Sequence, residues 1–217
     1  AVATLRADTD PVWPVRKALP PNKTQHERAL SAEEVGQLLT DFDGHGGNFQ
    51  TIKAFQLMWL TLSRPNESVQ AEWAEFDLEK ALWTIPARRM KARREHIIPL
   101  PTQAVELLKA MHPITGHTKF VFPNRDDRQR PMADAALRQA LKKLGWATKY
   151  SPHGTRTTGS TRLNEMGYRP DAIEAQLAHA EPNSVRRTYN HATYLDERRV
   201  MMQDWAVRLD EWKACSE

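Results

Sequence analysis

The sequence is poor in cysteine and has no long hydrophobic run. Its 217 residues include a single cysteine, Cys215, which excludes an internal disulfide framework and a cysteine-rich zinc site within this chain. No apolar run approaches the roughly 18 residues of a transmembrane helix, so we expect no membrane partner. The opening segment carries no apolar core of a signal peptide, and we therefore expect a cytoplasmic protein in a reducing compartment.

Motifs of nucleotide-dependent and metal-dependent enzymes are also missing. The chain has no G-x-x-x-x-G-K-S/T phosphate-binding loop. His112 and His117 do not form a convincing metal pair when only one cysteine is available. The D-L-E-K run at Asp77–Lys80 resembles the carboxylate–lysine signature of some nucleases, but a hairpin turn is the better interpretation. We therefore expect neither a cofactor nor a metal ion.

The net positive charge is small, and the basic residues are concentrated in two stretches of the chain. The chain has 31 Lys and Arg against 27 Asp and Glu, a formal net charge of +4. Residues 86–94 read PARRMKARR, and residues 135–164 contain further Arg and Lys but no acid. If the fold brings the two stretches together, they form a groove that suits phosphates. The alternative, two solvated faces on unrelated sides, is equally compatible with the charge pattern.

Hydrophobic spacing predicts a mainly α-helical fold with a small three-stranded antiparallel sheet. Ser31 and Glu34 form a capping box that begins the first helix. Strands are expected at 69–76, 81–86 and 95–100, with the PARRMKARR run on the second connection. The other helices are expected at 49–62, 102–111, 132–144, 158–166, 171–177 and about 184–212.

The proline-containing residues 1–30 are interpreted as a linker or the tail of a preceding domain, and residues 31–217 as one domain with a C-terminal helical tail. That tail has an apolar face, which consists of Met201, Trp205, Leu209 and Trp212. The face packs either on its own domain or on a neighbouring protomer, and the sequence leaves both alternatives open.

Polar groups capable of chemistry stand at five places along the chain. They are Arg64 with Glu67, then Lys91, His153 with Arg156, His179, and Tyr189. Each has an ordinary structural explanation when taken alone, such as an ion pair, a solvated cation or a helix cap. Taken together, they suit phosphoryl transfer in which fixed cations stabilise the charge of the transition state, because guanidinium groups bind phosphate oxygens in pairs.

The same residues lie within a series of motifs whose order and spacing resemble the catalytic domain of the tyrosine recombinases, the phage integrases, and most closely those of the P4 type. The resemblance covers about Arg28 to Trp212. The motifs are R-P-N-E at 64–67, A-E-W-x-E-F-D at 71–77, I-P-A-R-R-M-K at 85–91, H-I-I-P-L at 96–100, V-F-P at 121–123, H-G-T-R at 153–156, L-N-E-M-G at 163–167, I-E-x-Q-L-A-H at 173–179 and Y-N-H-A-x-Y-L-x-E-R-R at 189–199.

The resemblance implies a role for each matching residue. Tyr189 is expected to attack the scissile DNA phosphate and form a 3′-phosphotyrosyl bond. Arg64 and Arg156 are expected to hold the non-bridging oxygens. Lys91 is expected to act as the general acid for the 5′-hydroxyl, and His153 as the proton-transfer partner of the tyrosine. His179 is expected to donate a hydrogen bond to the phosphate, and Glu67 to be the supporting carboxylate.

DNA contacts are also expected from the basic residues Arg88, Arg89, Arg93, Arg94 and Arg162. Tyr194 is a rival nucleophile, but the spacing from His179 to Tyr189 matches the family better. The resemblance further implies double-stranded attachment sites as substrate, a tetramer on DNA, accessory DNA-bending and directionality factors, and the bacterial nucleoid as location. It predicts an enzyme that integrates and excises a prophage or genomic island. A catalytically silent DNA-binding or architectural module and a metal-dependent nuclease are the alternatives.

Overall fold

The computed structural model describes residues 28–179 and 194–216, and it is mainly helical with one small antiparallel sheet, as predicted. The helices are α1 Ala32–Asp43, α2 Phe49–Thr61, α3 Pro65–Val69, α4 Thr102–Thr115, α5 Ala135–Lys143, α6 Gly154–Glu165, α7 Pro170–Gln176 and α8 Leu195–Ala214. The strands are β1 Phe76–Asp77, β2 Leu82–Ile85 and β3 His96–Pro99. No helix in these described ranges is both long and apolar enough to cross a bilayer.

The first two helices begin at side-chain caps. The predicted capping box of α1 is confirmed: the Ser31 hydroxyl accepts from the Glu34 backbone N–H, and the Glu34 carboxylate accepts from the Ser31 N–H. At the start of α2 the Asn48 side-chain oxygen accepts from the Gln50 backbone N–H. Helix α2 ends at Leu62, whose φ of 54° is left-handed. That residue turns the chain out of the helix just before Arg64.

The three strands form the predicted meander in the order β1-β2-β3, with Phe76 opposite Trp83 and Ile85 opposite His96. The predicted first strand at 69–76 is wrong over most of its length. Val69 ends helix α3, Glu72 forms an isolated β-bridge with Phe120, and Trp73–Glu75 form a 3-10 turn, so only the last residue of the stretch joins the sheet. Pro65 at the first helical position and the Glu67 side chain, which accepts from the Arg64 N–H, favour a helix start there.

The C-terminal helix α8 packs on its own domain. Tyr194 has a left-handed φ of 46° directly before α8, so the helix predicted from about 184 to 212 is not continuous through that residue. Residues 184–193 lie outside the described residues. Met201 and Trp205 are fully buried, and the Trp205 indole N–H donates to the Trp59 carbonyl over 2.8 Å. The apolar face of the tail therefore belongs to the core of the domain in this structure.

Candidate active site

Arg64 is held at the start of α3 by the carboxylate of Glu67. The Glu67 oxygens accept from the Arg64 backbone N–H and from its Nη1, each over 2.7 Å. The Glu67 side chain is buried at 5% exposure, whereas that of Arg64 keeps 25%. The pair therefore fixes the inner edge of the guanidinium group and leaves part of it open to a ligand.

Arg156 lies on the first turn of α6 and connects two helix ends. Its Nη1 donates to the Leu62 carbonyl at the end of α2 over 2.9 Å, and its Nη2 donates to the Leu177 carbonyl after α7. Burial, together with repulsion from the nearby Arg64 guanidinium, lowers the pKa of Arg156 to about 10. The group still carries its charge at neutral pH, so two cations stand close together in a partly buried place.

The two arginines meet at the C-terminal end of α7. Arg64 Nη2 donates to the Ala178 carbonyl over 3.4 Å, one residue beyond the Leu177 carbonyl that Arg156 contacts. Ala178 has a left-handed φ of 48°, and the next N–H returns to the Glu174 carbonyl over 3.1 Å. Carbonyls at a helix C-terminus lack helical donors and carry partial negative charge, so they stabilise the paired cations.

His179 follows these carbonyls directly and is exposed. Its Nδ1 lies 2.7 Å from the Glu174 carboxylate. A carboxylate accepts hydrogen bonds, so this ring nitrogen carries the proton and the Nε2 edge remains for another partner. Helix α7 thus brings the predicted phosphate donor next to the arginine pair.

His153 lies at the N-terminal end of α6, three residues before Arg156, and its side chain is exposed. Residues at this spacing share one face of a helix. The helix begins at Gly154, four residues before the predicted start at 158, and so it includes Arg156.

The connection between β2 and β3 is anchored beside α3. Arg89 Nη2 donates to the Glu67 carbonyl over 2.8 Å, its Nη1 pairs with Glu75, and Met90 is buried. Lys91 follows Met90 directly and is exposed. The structure therefore carries the predicted general acid on a segment that is attached to the Arg64–Glu67 pair.

The arginines predicted to contact DNA fall into two groups. Arg89 has only 10% of its side chain exposed because it pairs with Glu75. Arg162 is also engaged, since its Nε and Nη2 both donate to the Leu30 carbonyl. These two side chains hold the fold together, and their position gives the prediction of DNA contact no support. The second group is exposed and comprises Arg88, which pairs with Glu72, together with Arg93 and Arg94.

Three buried polar residues near the arginine pair were given no role from the sequence. His96 and Arg198 are each hydrogen-bonded to Gln176, and these three buried residues connect β3, α7 and α8. All three lie in motifs of the family resemblance, which is the only signal that singled them out. The predicted nucleophile, Tyr189, lies outside the described residues.

A family model decides the classification. The model described as "Phage integrase family" matches residues 28–195. The chain belongs to the phage integrase family. Among its relatives are the prophage integrase IntA of Escherichia coli K12 and the integrase of Enterobacteria phage P4, both 38% identical, which align over 92% and 94% of this chain. The chain spans about half of these relatives, 48% and 50% of their lengths.

Solved structures with this fold include other integrases. The integrase from mycobacterium phage Brujita matches with a TM-score of 0.64 and 18% identity over 100% of this chain and 71% of its own. A lambda integrase dimer bound to a COC′ core site matches with a TM-score of 0.59 and 18% identity, over 83% and 67%. At such identities the likeness shows the shared fold, which agrees with the predicted tyrosine recombinase fold.

Proposed function

We propose that this chain is the catalytic part of a site-specific DNA recombinase that cuts and rejoins strands through Tyr189 and moves a prophage or genomic island into and out of a bacterial chromosome. One observation carries the proposal. Arg64 and Arg156 converge on the consecutive carbonyls of residues 177 and 178, directly before His179. Membership in the phage integrase family supports the reaction type.

In the proposed cleavage step Tyr189 is the nucleophile and cationic side chains stabilise the negative charge. The Tyr189 oxygen attacks the phosphorus, the bond to the 5′-oxygen breaks, and a 3′-phosphotyrosyl ester forms. A free phenol has a pKa near ~10, so neighbouring cations are needed to favour the phenolate. The same cations stabilise the additional charge on the non-bridging oxygens. His153 accepts the tyrosine proton and Lys91 protonates the 5′-oxygen.

Rejoining reverses these steps and needs no nucleotide, because the phosphotyrosyl ester keeps the free energy of the phosphodiester. The 5′-hydroxyl gives its proton back to Lys91 and attacks the phosphorus, and the tyrosine leaves with a proton from His153. In the described ranges, no three His, Cys, Asp or Glu side chains are grouped so that they could hold a metal ion. We propose that cleavage depends on the fixed cations of Arg64, Arg156 and Lys91, because such groups stabilise the charge that develops on the phosphate oxygens.

The proposed substrate is a double-stranded attachment site. Structures with the same fold include a lambda integrase dimer on a core site and the XerH recombinase on difH. For this chain we propose a tetramer on DNA, assisted by DNA-bending and directionality factors in the bacterial nucleoid.

The test uses negatively supercoiled plasmid as the probe. The wild-type chain is incubated with the plasmid in the presence and absence of EDTA, and relaxation and detergent-stable protein–DNA adducts are measured. We expect relaxation and adducts that EDTA does not diminish, because the charge on phosphate is neutralised by side chains. Tyr189→Phe should abolish both, and the matched Tyr194→Phe should retain both.

Each alternative predicts a different result. Loss of activity with EDTA would favour a metal-dependent nuclease. An adduct that persists in Tyr189→Phe and disappears in Tyr194→Phe would assign the nucleophile to Tyr194. Binding of the plasmid without any cleavage by the wild-type chain would favour the silent DNA-binding module.

A further inference from the structure

Gln176, the last residue of α7, is the centre of a buried network that joins four elements. Its side chain is 1% exposed, and its Nε2 donates to the Thr61 carbonyl over 2.8 Å. Its Oε1 accepts from Arg198 Nε over 3.0 Å and from Arg198 Nη2 over 2.8 Å. Its backbone carbonyl accepts from His96 Nε2 over 3.0 Å. One residue is thus bonded to the end of α2, to β3 and to α8.

The network and the arginine pair use adjacent backbone groups. The Thr61 carbonyl accepts from Gln176, and the next carbonyl, that of Leu62, accepts from Arg156. After Gln176, the next two carbonyls accept from Arg156 and Arg64. Because peptide units are planar and joined by only two soft dihedral angles, a shift of residue 61 or 176 moves its neighbouring carbonyl as well. The network therefore sets the positions of two of the carbonyls that hold the arginines, those of Leu62 and Leu177, both of which bind Arg156.

Arg198 is a costly residue to place in this position for stability alone. It is 2% exposed, and burial lowers its pKa to about 10. Its guanidinium group donates to the amide oxygen of Gln176 and, over 2.7 Å, to the Ile97 carbonyl. Removing a charge from water is costly even where the charge is hydrogen-bonded, and apolar residues of similar volume often stabilise as well or better. The planar fork of arginine, however, fixes geometry in a way that an apolar side chain does not.

Gln176 and Arg198 also flank the predicted nucleophile in sequence. Tyr189 lies between them in the chain, thirteen residues after Gln176 and nine before Arg198. The Gln176–Arg198 pair therefore joins the elements that precede and follow the nucleophile, and it does so one residue away from a carbonyl that binds Arg156.

We propose that Gln176 and Arg198 form a positioning pair that aligns Arg64 and Arg156 for catalysis by fixing the carbonyls at the ends of α2 and α7. The inference rests on the proposed function, since it assigns the pair a role in DNA cleavage. Neither residue contacts the phosphate; both act through the arginines.

The test compares cleavage rates at saturating supercoiled plasmid with plasmid affinity. Gln176→Met/Arg198→Met removes both polar side chains at similar volume, so neither side of their mutual hydrogen bond is left without a partner, while the Thr61 and Ile97 carbonyls lose these donors. Arg198→Lys is the milder variant and carries the same test if the double variant does not fold. Thr115→Val is the matched control, because it removes another buried hydrogen bond, from the Thr115 hydroxyl to the Val121 carbonyl over 2.9 Å. Folding of every variant is checked by circular dichroism.

We expect the positioning variants to cleave at least about 10-fold more slowly than Thr115→Val, with plasmid affinity within about 3-fold of wild type. Arg156→Ala is then added to each background. If the pair acts through Arg156, this substitution costs a much smaller factor in the positioning variants than in the wild-type chain.

Two results would overturn the inference while leaving the proposed function intact. One is an equal factor for Arg156→Ala in both backgrounds, which would mean that the pair acts independently of the arginine. The other is a cleavage rate in the positioning variants that matches the Thr115→Val control. Absence of cleavage by the wild-type chain would instead contradict the proposed function itself.

Discussion

Protonation of one buried imidazole, His96, should destabilise this protein in mild acid. The residue is 8% exposed at the start of β3, and its Nε2 donates to the Gln176 carbonyl over 3.0 Å. Burial, with smaller repulsion from Arg198 and Arg156, lowers the pKa of His96 from 6.5 to about 4, although the Glu67 carboxylate opposes this. The folded protein therefore holds the imidazole neutral where an unfolded chain would protonate it.

The sign and size follow from this shift in the pKa of His96. The folded state binds the proton less well, so stability is complete above pH 6.5 and is lost as the pH falls from 6.5 to about 4. The full shift corresponds to about 3 kcal/mol, and about 2 kcal/mol of it is lost between pH 7 and pH 4.5. The Glu34 carboxyl, whose pKa is lowered to about 2 by its bond with Arg28, loses its contribution only below pH 4.5. The pH ranges over which His96 and Glu34 lose their contributions to stability can therefore be separated.

The assay is urea unfolding of the chain at several pH values between 7 and 4.5, followed by circular dichroism. His96→Gln is the matched variant, because a glutamine amide can still donate to the Gln176 carbonyl but does not titrate. We expect the wild-type free energy of unfolding to fall by about 2 kcal/mol more than that of the variant over this range. Parallel losses in the two proteins would refute the assignment of this pH dependence to His96.

Three further predictions concern single substitutions. Glu67→Gln should lower the free energy of unfolding by about 2 kcal/mol, because it removes a charge-assisted bond to a partly exposed arginine. It should also slow plasmid relaxation, and no change in either quantity would contradict the support role of Glu67. Gly159→Ala should lower the free energy of unfolding in urea by about 1–3 kcal/mol, since a Cβ there would lie 2.5 Å from the Leu62 side chain. Gly46→Ala is the control, because a Cβ at that position meets nothing within 4 Å. Equal stability of the two variants would refute the packing argument. Arg94→Ala should reduce the salt dependence of plasmid binding by about one charge, and Arg89→Met should mainly lower stability; the reverse pattern would show that Arg89 is the DNA contact.

Local signals predicted the elements well where the side chains of one segment decide its conformation. The Ser31–Glu34 capping box and the strands around the basic run are such cases. The predicted strand over 69–76 failed because the 3-10 turn at Trp73–Glu75 interrupts it. Before the turn only Glu72 pairs, in an isolated bridge with Phe120, and after it Phe76–Asp77 pairs with β2. The start of α6 was missed because Gly154 and Thr155 are weak helix formers, and tertiary contacts hold the first turn in place.

The candidate site was predictable to the extent that its residues belong to family motifs. Arg64, Arg156 and His179 were singled out, and the structure brings them to one place. The sequence did not reveal that the carbonyls of residues 177 and 178 accept from the two arginines, because every residue has a backbone carbonyl and only the fold determines which of them bind a side chain. The same holds for Gln176 and Arg198, whose bond joins α7 to α8 across the segment that contains the predicted nucleophile.

The most direct test of the proposed function is the identity of the residue that becomes linked to DNA. The chain is incubated with supercoiled plasmid, denatured, treated with nuclease and trypsin, and the nucleotide-bearing peptide is fragmented in a mass spectrometer. Trypsin yields a peptide covering residues 188–198, which contains both Tyr189 and Tyr194, so fragmentation is needed to separate them. We predict the nucleotide on Tyr189 through a 3′-phosphate. A nucleotide on Tyr194, or cleaved DNA without any linked peptide, would contradict the proposal.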